Sequence, residues 1–220
     1  MGRTSGAFMA VGQKTGSKFQ GVHHLHMQTK IQTARRRTLK YLLAFWCVNS
    51  LFPPRIALCT EHKSLVVFFS WSGNTRKVAE MIARETGASL LELTTVHPYP
   101  SGYAEVGAVA RKEWQENARP KLATTLPADF AQCHVIFLGY PVWNHTMPMP
   151  VYTFLESNNF SGKVIAPFST HMGDGLADGP EQIARLCPDA KVLPGLAISG
   201  SDVGHCEGEI RKWLQSNNLL

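Results

Sequence analysis

A chain of 220 residues with 44% hydrophobic content is long enough for one domain with a substantial core and an extension besides. Its net charge of +6 averages two unlike pieces: residues 1–59 hold nine Lys/Arg and no Asp or Glu, whereas residues 60–220 hold 13 basic against 16 acidic residues, a net −3. Because the basic charge sits in the leader, the basic pI of the whole chain is no argument for nucleic-acid binding by the remainder, and no nucleic-acid partner is expected.

The leader, residues 1–59, has internal order. Arg35-Arg36-Arg37-Thr38-Leu39-Lys40 precedes an apolar run from Tyr41 to Phe52, then Pro53-Pro54, then Ala57-Leu58-Cys59. A charged stretch, a short apolar stretch and small residues near its end are the parts of a secretory signal, and the run falls short of the roughly 20 residues of a membrane span. The paired arginines and the following Thr-Leu-Lys resemble the twin-arginine export signal, with Thr38 where that signal has phenylalanine. The expectation is a periplasmic or otherwise exported protein, cytoplasmic if the leader is not functional, with a membrane attachment only through an uncleaved signal. An uncleaved anchor and a buried N-terminal helix with a basic flank are the competing readings. Pro53-Pro54 and the lack of acidic residues stand against the helix. The stretch before Met27 has no periodicity, so the true start is Met1 or Met27, and His23, His24 and His26 are not read as a metal site.

From residue 64 the pattern becomes regular. SLVVFFS (64–70) is a continuous apolar run, the mark of a strand buried on both faces. NTRKVAEMIARETG (74–87) sets Val78, Ala79, Met81, Ile82 and Ala83 on one side of a 3.6-residue period and stops at Gly87, predicting a helix. SLLELTT (89–95), HVIFLGYP (134–141), KVIAPFST (163–170) and AKVLPGLAIS (190–199) predict four more strands, and 103–117, 149–157, 177–186 and 205–216 predict helices. Five strands alternating with helices predict a single α/β domain over 60–220, with a parallel sheet covered on both faces. Cys133, Cys187 and Cys206 show no metal-ligand spacing and read as small buried hydrophobes, with a Cys187–Cys206 bridge left open for an exported domain.

Open parallel sheets bind ligands beyond the carboxyl ends of their strands. After the first strand stands Ser70-Trp71-Ser72-Gly73-Asn74-Thr75: Gly73 permits a tight turn, the amides of 73–76 open a helix, and neutral side chains supply donors, together a cradle for phosphate. Neither GxxxxGK[ST] nor GxGxxG is present, and the same residues would also serve an ordinary capped turn. After the third strand, Pro141, Pro148 and Pro150 stiffen a loop that carries Trp143, an aromatic with no apolar period to bury it, placed to stack on a flat ring. After the fourth strand, Ser169-Thr170-His171-Met172-Gly173-Asp174-Gly175 lets backbone approach a ligand closely. One terminal phosphate and one flat aromatic body describe flavin mononucleotide (FMN).

SWSGNT, GYPVW and STHMGDG, in this order and spacing, resemble the motifs of the flavodoxin-like family over residues 64–218. That resemblance implies a three-layer sandwich with a five-stranded parallel sheet of order 2-1-3-4-5 and noncovalently bound FMN. It implies phosphate contacts from Ser70, Ser72, Gly73, Asn74 and Thr75, and ring contacts from Pro141, Val142, Trp143 and Asn144 and from Thr170, His171 and Gly173. Relatives often have Trp-Gly after the first tryptophan, whereas this chain has Asn144-His145. Electron transfer to a redox partner protein through the flavin is the preferred function. The alternative is an NAD(P)H-dependent quinone or flavin reductase serving a small-molecule acceptor. A phospho-acceptor receiver domain is discarded, because Ser70 and Tyr140 stand where its carboxylates belong.

Overall fold

The computed structural model describes residues 63–220, so the export signal, the start at Met1 or Met27 and the leader cysteines lie outside the described residues. The elements in chain order are β1 (Ser64–Phe68), α1 (Asn74–Thr86), β2 (Ser89–Glu92), α2 (Tyr103–Gln115), a 3₁₀ turn (Phe130–Gln132), β3 (Val135–Pro141), α3 (Met149–Glu156), β4 (Val164–His171), α4 (Gly179–Leu186), β5 (Lys191–Val192), β6 (Leu196–Ser199) and α5 (Glu207–Ser216). All pairings are parallel in the order β2-β1-β3-β4-β5, with β6 also on β4. The expected 2-1-3-4-5 sheet is therefore the one observed.

The continuous apolar runs feed two cores at once, because successive side chains of a strand point to opposite faces. Leu65, Val67 and Phe69 join Ile136, Leu138, Tyr140 and Ile165 on one face, where α3 and Ile183 of α4 cover them. Val66 and Phe68 join Phe137, Ala166 and Phe168 on the other, beneath Val78 and Ile82 of α1 and Ile210, Trp213 and Leu214 of α5. Burial of each Val, Leu, Ile or Phe side chain contributes about 1.5–3 kcal/mol, so the two apolar layers hold the fold.

Two expectations are corrected. The strand predicted over 190–199 is broken: Ile165 pairs with Val192 but Phe168 pairs with Leu196, so strand five carries one residue more than β4 over that interval. Pro194 lies in the break, where its missing N–H costs no ladder bond, and its carbonyl accepts Trp213 Nε1 at 2.8 Å. The Cys187–Cys206 bridge is also excluded: Cys133, Cys187 and Cys206 are buried thiols, with Cys187 in one core and Cys206 in the core across the sheet. Burial pushes the Cys187 thiol up to about 11.

The 3₁₀ turn was not predicted. Lys163 pins it, donating its buried Nζ to the carbonyls of Phe130 (3.1 Å), Ala131 (3.0 Å) and Cys133 (2.7 Å). A cation is favoured where a helical turn ends in unpaired carbonyls.

Candidate functional site

Beyond β1, Gly73 takes φ +86°, a left-handed conformation that costs other residues about 1–2 kcal/mol, and so turns the chain into α1. The N-cap, Gly73, has no side chain to cap α1, and the first turn holds no acidic residue. Lys77 N donates to Gly73 O (3.1 Å) and Arg76 N to Ser70 Oγ (3.2 Å), while the amides of Gly73, Asn74 and Thr75 find no partner among the described residues. Amides left unpaired at the positive end of a helix make an anion site. Ser72 is exposed and Asn74 half-exposed beside them. Thr75 is buried, and its Oγ1 lies 2.8 Å from Thr170 Oγ1, so that hydroxyl braces the turn against β4.

The β3–β4 ladder runs on past Pro141↔Thr170, with Val142 N donating to Thr170 O at 2.9 Å. The chain then reverses. Trp143 N donates to Thr146 O (2.9 Å) and Thr146 N to Trp143 O (3.0 Å), with Asn144 at φ +50° and His145 at φ +61°. Two left-handed central residues define a type I′ turn, for which Asn is a favoured first residue. Asn144-His145 thus performs turn chemistry. His145 Nδ1 lies 2.8 Å from Asp174 Oδ1, which ties this turn to the loop after β4. In that loop His171 Nδ1 accepts Gly173 N at 3.0 Å and Met172 is 89% exposed.

Trp143 corrects the expectation that nothing apolar buries it. Its half-buried ring meets Phe69 edge-on at 5.4 Å and Tyr99 at 5.3 Å, contacts brought by distant segments that a period along its own segment cannot reveal. Tyr99 in turn donates its hydroxyl to Glu113 Oε2 at 2.5 Å. Burial pushes both the Tyr99 phenol and the Glu113 carboxyl up.

The three loops therefore converge at the carboxyl ends of β1, β3 and β4, where open α/β sheets bind ligands. The sequence profile of the flavodoxin family matches residues 63–217. The chain belongs to the flavodoxin family. No curated protein matches it. Among solved structures, a protein of Bacteroides eggerthii assigned as a flavoprotein is 26% identical, covering 70% of this chain and 96% of its own, with a TM-score of 0.60. A second so assigned, from Bacteroides uniformis, is 23% identical over 70% of this chain and 97% of its own, also with a TM-score of 0.60. A flavoprotein of Lactobacillus acidophilus in complex with FMN is 24% identical over 65% of this chain and 97% of its own, with a TM-score of 0.54. The latter two share the fold.

In this member of the flavodoxin family a fourth loop reaches the site. Gly200, after β6, donates its amide to His171 O at 2.8 Å, and a Cβ there would stand 3.5 Å from Asn74 Nδ2. The small polar run Ser199-Gly200-Ser201-Asp202 following the last strand was the available signal. A cavity of about 600 Å³ by Lys63, Gly87 and Asp129 lies at the amino ends of β1 and β2, away from these loops.

Proposed function

We propose that the site binds FMN noncovalently and that the protein is an electron carrier. The observation that carries this reading is the row of unpaired amides at Gly73, Asn74 and Thr75, which open a helix with no acidic residue in its first turn. An anionic group there meets neutral donors from Ser70, Ser72 and Asn74, and Thr75 holds the turn in place through Thr170. Pro141, Val142, Trp143 and Asn144 on one side, and Thr170, His171 and Gly173 on the other, would hold the ring system. Bound FMN supplies one- and two-electron chemistry, while the chain fixes its surroundings and its exposure to partners. Asp174 and the net −3 of residues 60–220 disfavour added negative charge nearby and make the site a modest reductant. The comparison with an FMN-bound relative supports the cofactor, and family membership supports the carrier role.

Purified protein is expected to be yellow and to remain so when NADH or NADPH is added anaerobically, yet to bleach with dithionite. Rapid bleaching by either nicotinamide would replace the carrier by a reductase. Export rests on the leader alone: with residues 27–65 fused to a reporter, changing Arg35 and Arg36 to Lys is expected to stop translocation, and continued translocation would remove the twin-arginine assignment.

A further inference from the structure

The loops after β3 and β4, which would hold the flavin ring from two sides, part company beyond the bond from Val142 N to Thr170 O. Past that point, among the described residues, the hydrogen bond that spans them joins His145 Nδ1 to Asp174 Oδ1 at 2.8 Å. Each end of it is fixed by its own loop. His145 stands at φ +61° in a turn closed in both directions between Trp143 and Thr146. Asp174 O accepts Ala177 N at 2.9 Å, and the next carbonyl, of Gly175, accepts Ser169 Oγ at 2.7 Å. Glycine fits so positive a φ at less cost than histidine, so the turn alone does not ask for an imidazole.

We propose that His145 is a positioning residue of the flavin site: its protonated imidazole, paired with Asp174, clasps the two loops together and makes flavin affinity depend on pH. This rests on the FMN reading and adds regulation to it. Loops already held in the binding arrangement lose less freedom when a ligand arrives, and apparent affinity falls with the fraction of molecules so held. Histidine is the side chain whose charge changes between about pH 5 and 8. Protonated, it makes a charge-assisted bond; neutral, it keeps at most an N–H donor of about half that strength. The clasp is therefore firmest in acid and slackens as pH rises. The other charged groups sharing a cavity wall with His145 are Arg111 of α2 and Asp178 ahead of α4, opposite in sign, while His171 Nδ1 is taken by Gly173 N. Because the pair is exposed, its two side chains 85% and 39% accessible, the effect it can have on affinity is a few-fold.

Titration of the full-length apoprotein with FMN at about pH 5.5 and about pH 8 tests this, for wild type, His145→Gly, Asp174→Asn and the double variant. Glycine suits the left-handed position and asparagine keeps the shape of Asp174, so the turns survive both changes. Each single variant is expected to bind FMN about two- to fivefold more weakly than wild type at the lower pH and to approach it at the higher, and the double variant to lose no more than either single one. Comparing variant with wild type at one pH cancels the titration of the FMN phosphate itself. A general field effect is separated from the clasp by sign, since one variant removes positive and the other negative charge. Opposite shifts in the two variants, a loss equal at both pH values, or no loss would overturn the proposal. Amide exchange over residues 171–177 in the flavin-free protein reads the clasp without the cofactor, and is expected to quicken in both variants at the lower pH. A wild type that takes up no FMN while its variants show that quickening loses the cofactor reading; FMN uptake with exchange and affinity unmoved in the variants loses the clasp alone.

Discussion

The Oγ1 atoms of Thr75 and Thr170 lie 2.8 Å apart in a buried setting, joining the first turn of α1 to the end of β4. Two neutral hydroxyls satisfy one another there, so removing either leaves its partner unpaired out of water. Thr75→Val or Thr170→Val should each destabilise the fold by about 1–3 kcal/mol in urea unfolding, and the double valine variant should cost less than the two single losses combined. Strict additivity would mean that the hydroxyls do not interact.

Gly73 and Gly139 should fail for different reasons when changed to alanine. At Gly73 a Cβ meets nothing within 4 Å, but φ is +86°, so Gly73→Ala should cost about 1–2 kcal/mol of backbone strain and leave the core intact. At Gly139 a Cβ would fall 2.2 Å from the ring of the fully buried Phe168, so Gly139→Ala should overpack the sheet face, costing about 1–3 kcal/mol. Near-UV circular dichroism should change only in the second variant.

Two glutamates should give opposite pH dependences. The Arg119 guanidinium beside Glu156 holds that carboxyl below its usual range. Its stabilisation is complete above the ordinary carboxylate range and is lost as pH falls through that range and below. Glu156→Gln should therefore lower the urea midpoint at neutral pH, by less than about 1 kcal/mol for so exposed a pair, with the difference vanishing in acid. Glu113 is pushed up by burial, although the Tyr99 hydroxyl opposes the shift. Its ionised form is disfavoured in the fold at neutral pH, and that cost is relieved as pH falls through the raised value towards the ordinary one. Glu113→Gln keeps an acceptor for Tyr99 and should raise the neutral-pH midpoint, with the gain shrinking on acidification.

Local apolar runs made most of the fold legible in the sequence. Leu65–Phe69 and Ile136–Leu138 announce strands buried on both faces, and Val78, Ala79 and Ile82 announce the helix that covers one of them. The break in strand five was hidden because Pro194-Gly195 sits inside an otherwise apolar stretch, and only the register against β4 shows the extra residue. At the site, composition and spacing revealed the turn at Gly73 and the convergence of three loops. They could not show that Thr75 faces Thr170, since the two are 95 residues apart. Nor could they show that Phe69 and Tyr99 hold Trp143, or that Asn144 and His145 shape a type I′ turn.

The most direct test is titration of the full-length apoprotein with FMN, followed by flavin absorbance and fluorescence, for wild type and Ser72→Asp. A carboxylate placed about 4 Å from a bound phosphate opposes it by about 4 kcal/mol at an effective dielectric of 20, a loss of more than about a hundredfold in affinity. Stoichiometric uptake by wild type, with that loss in the variant and an unchanged far-UV spectrum, is the expected result. A wild-type protein that takes up no flavin, or a Ser72→Asp variant that binds it as well as wild type, would contradict an anion cradle at the start of α1.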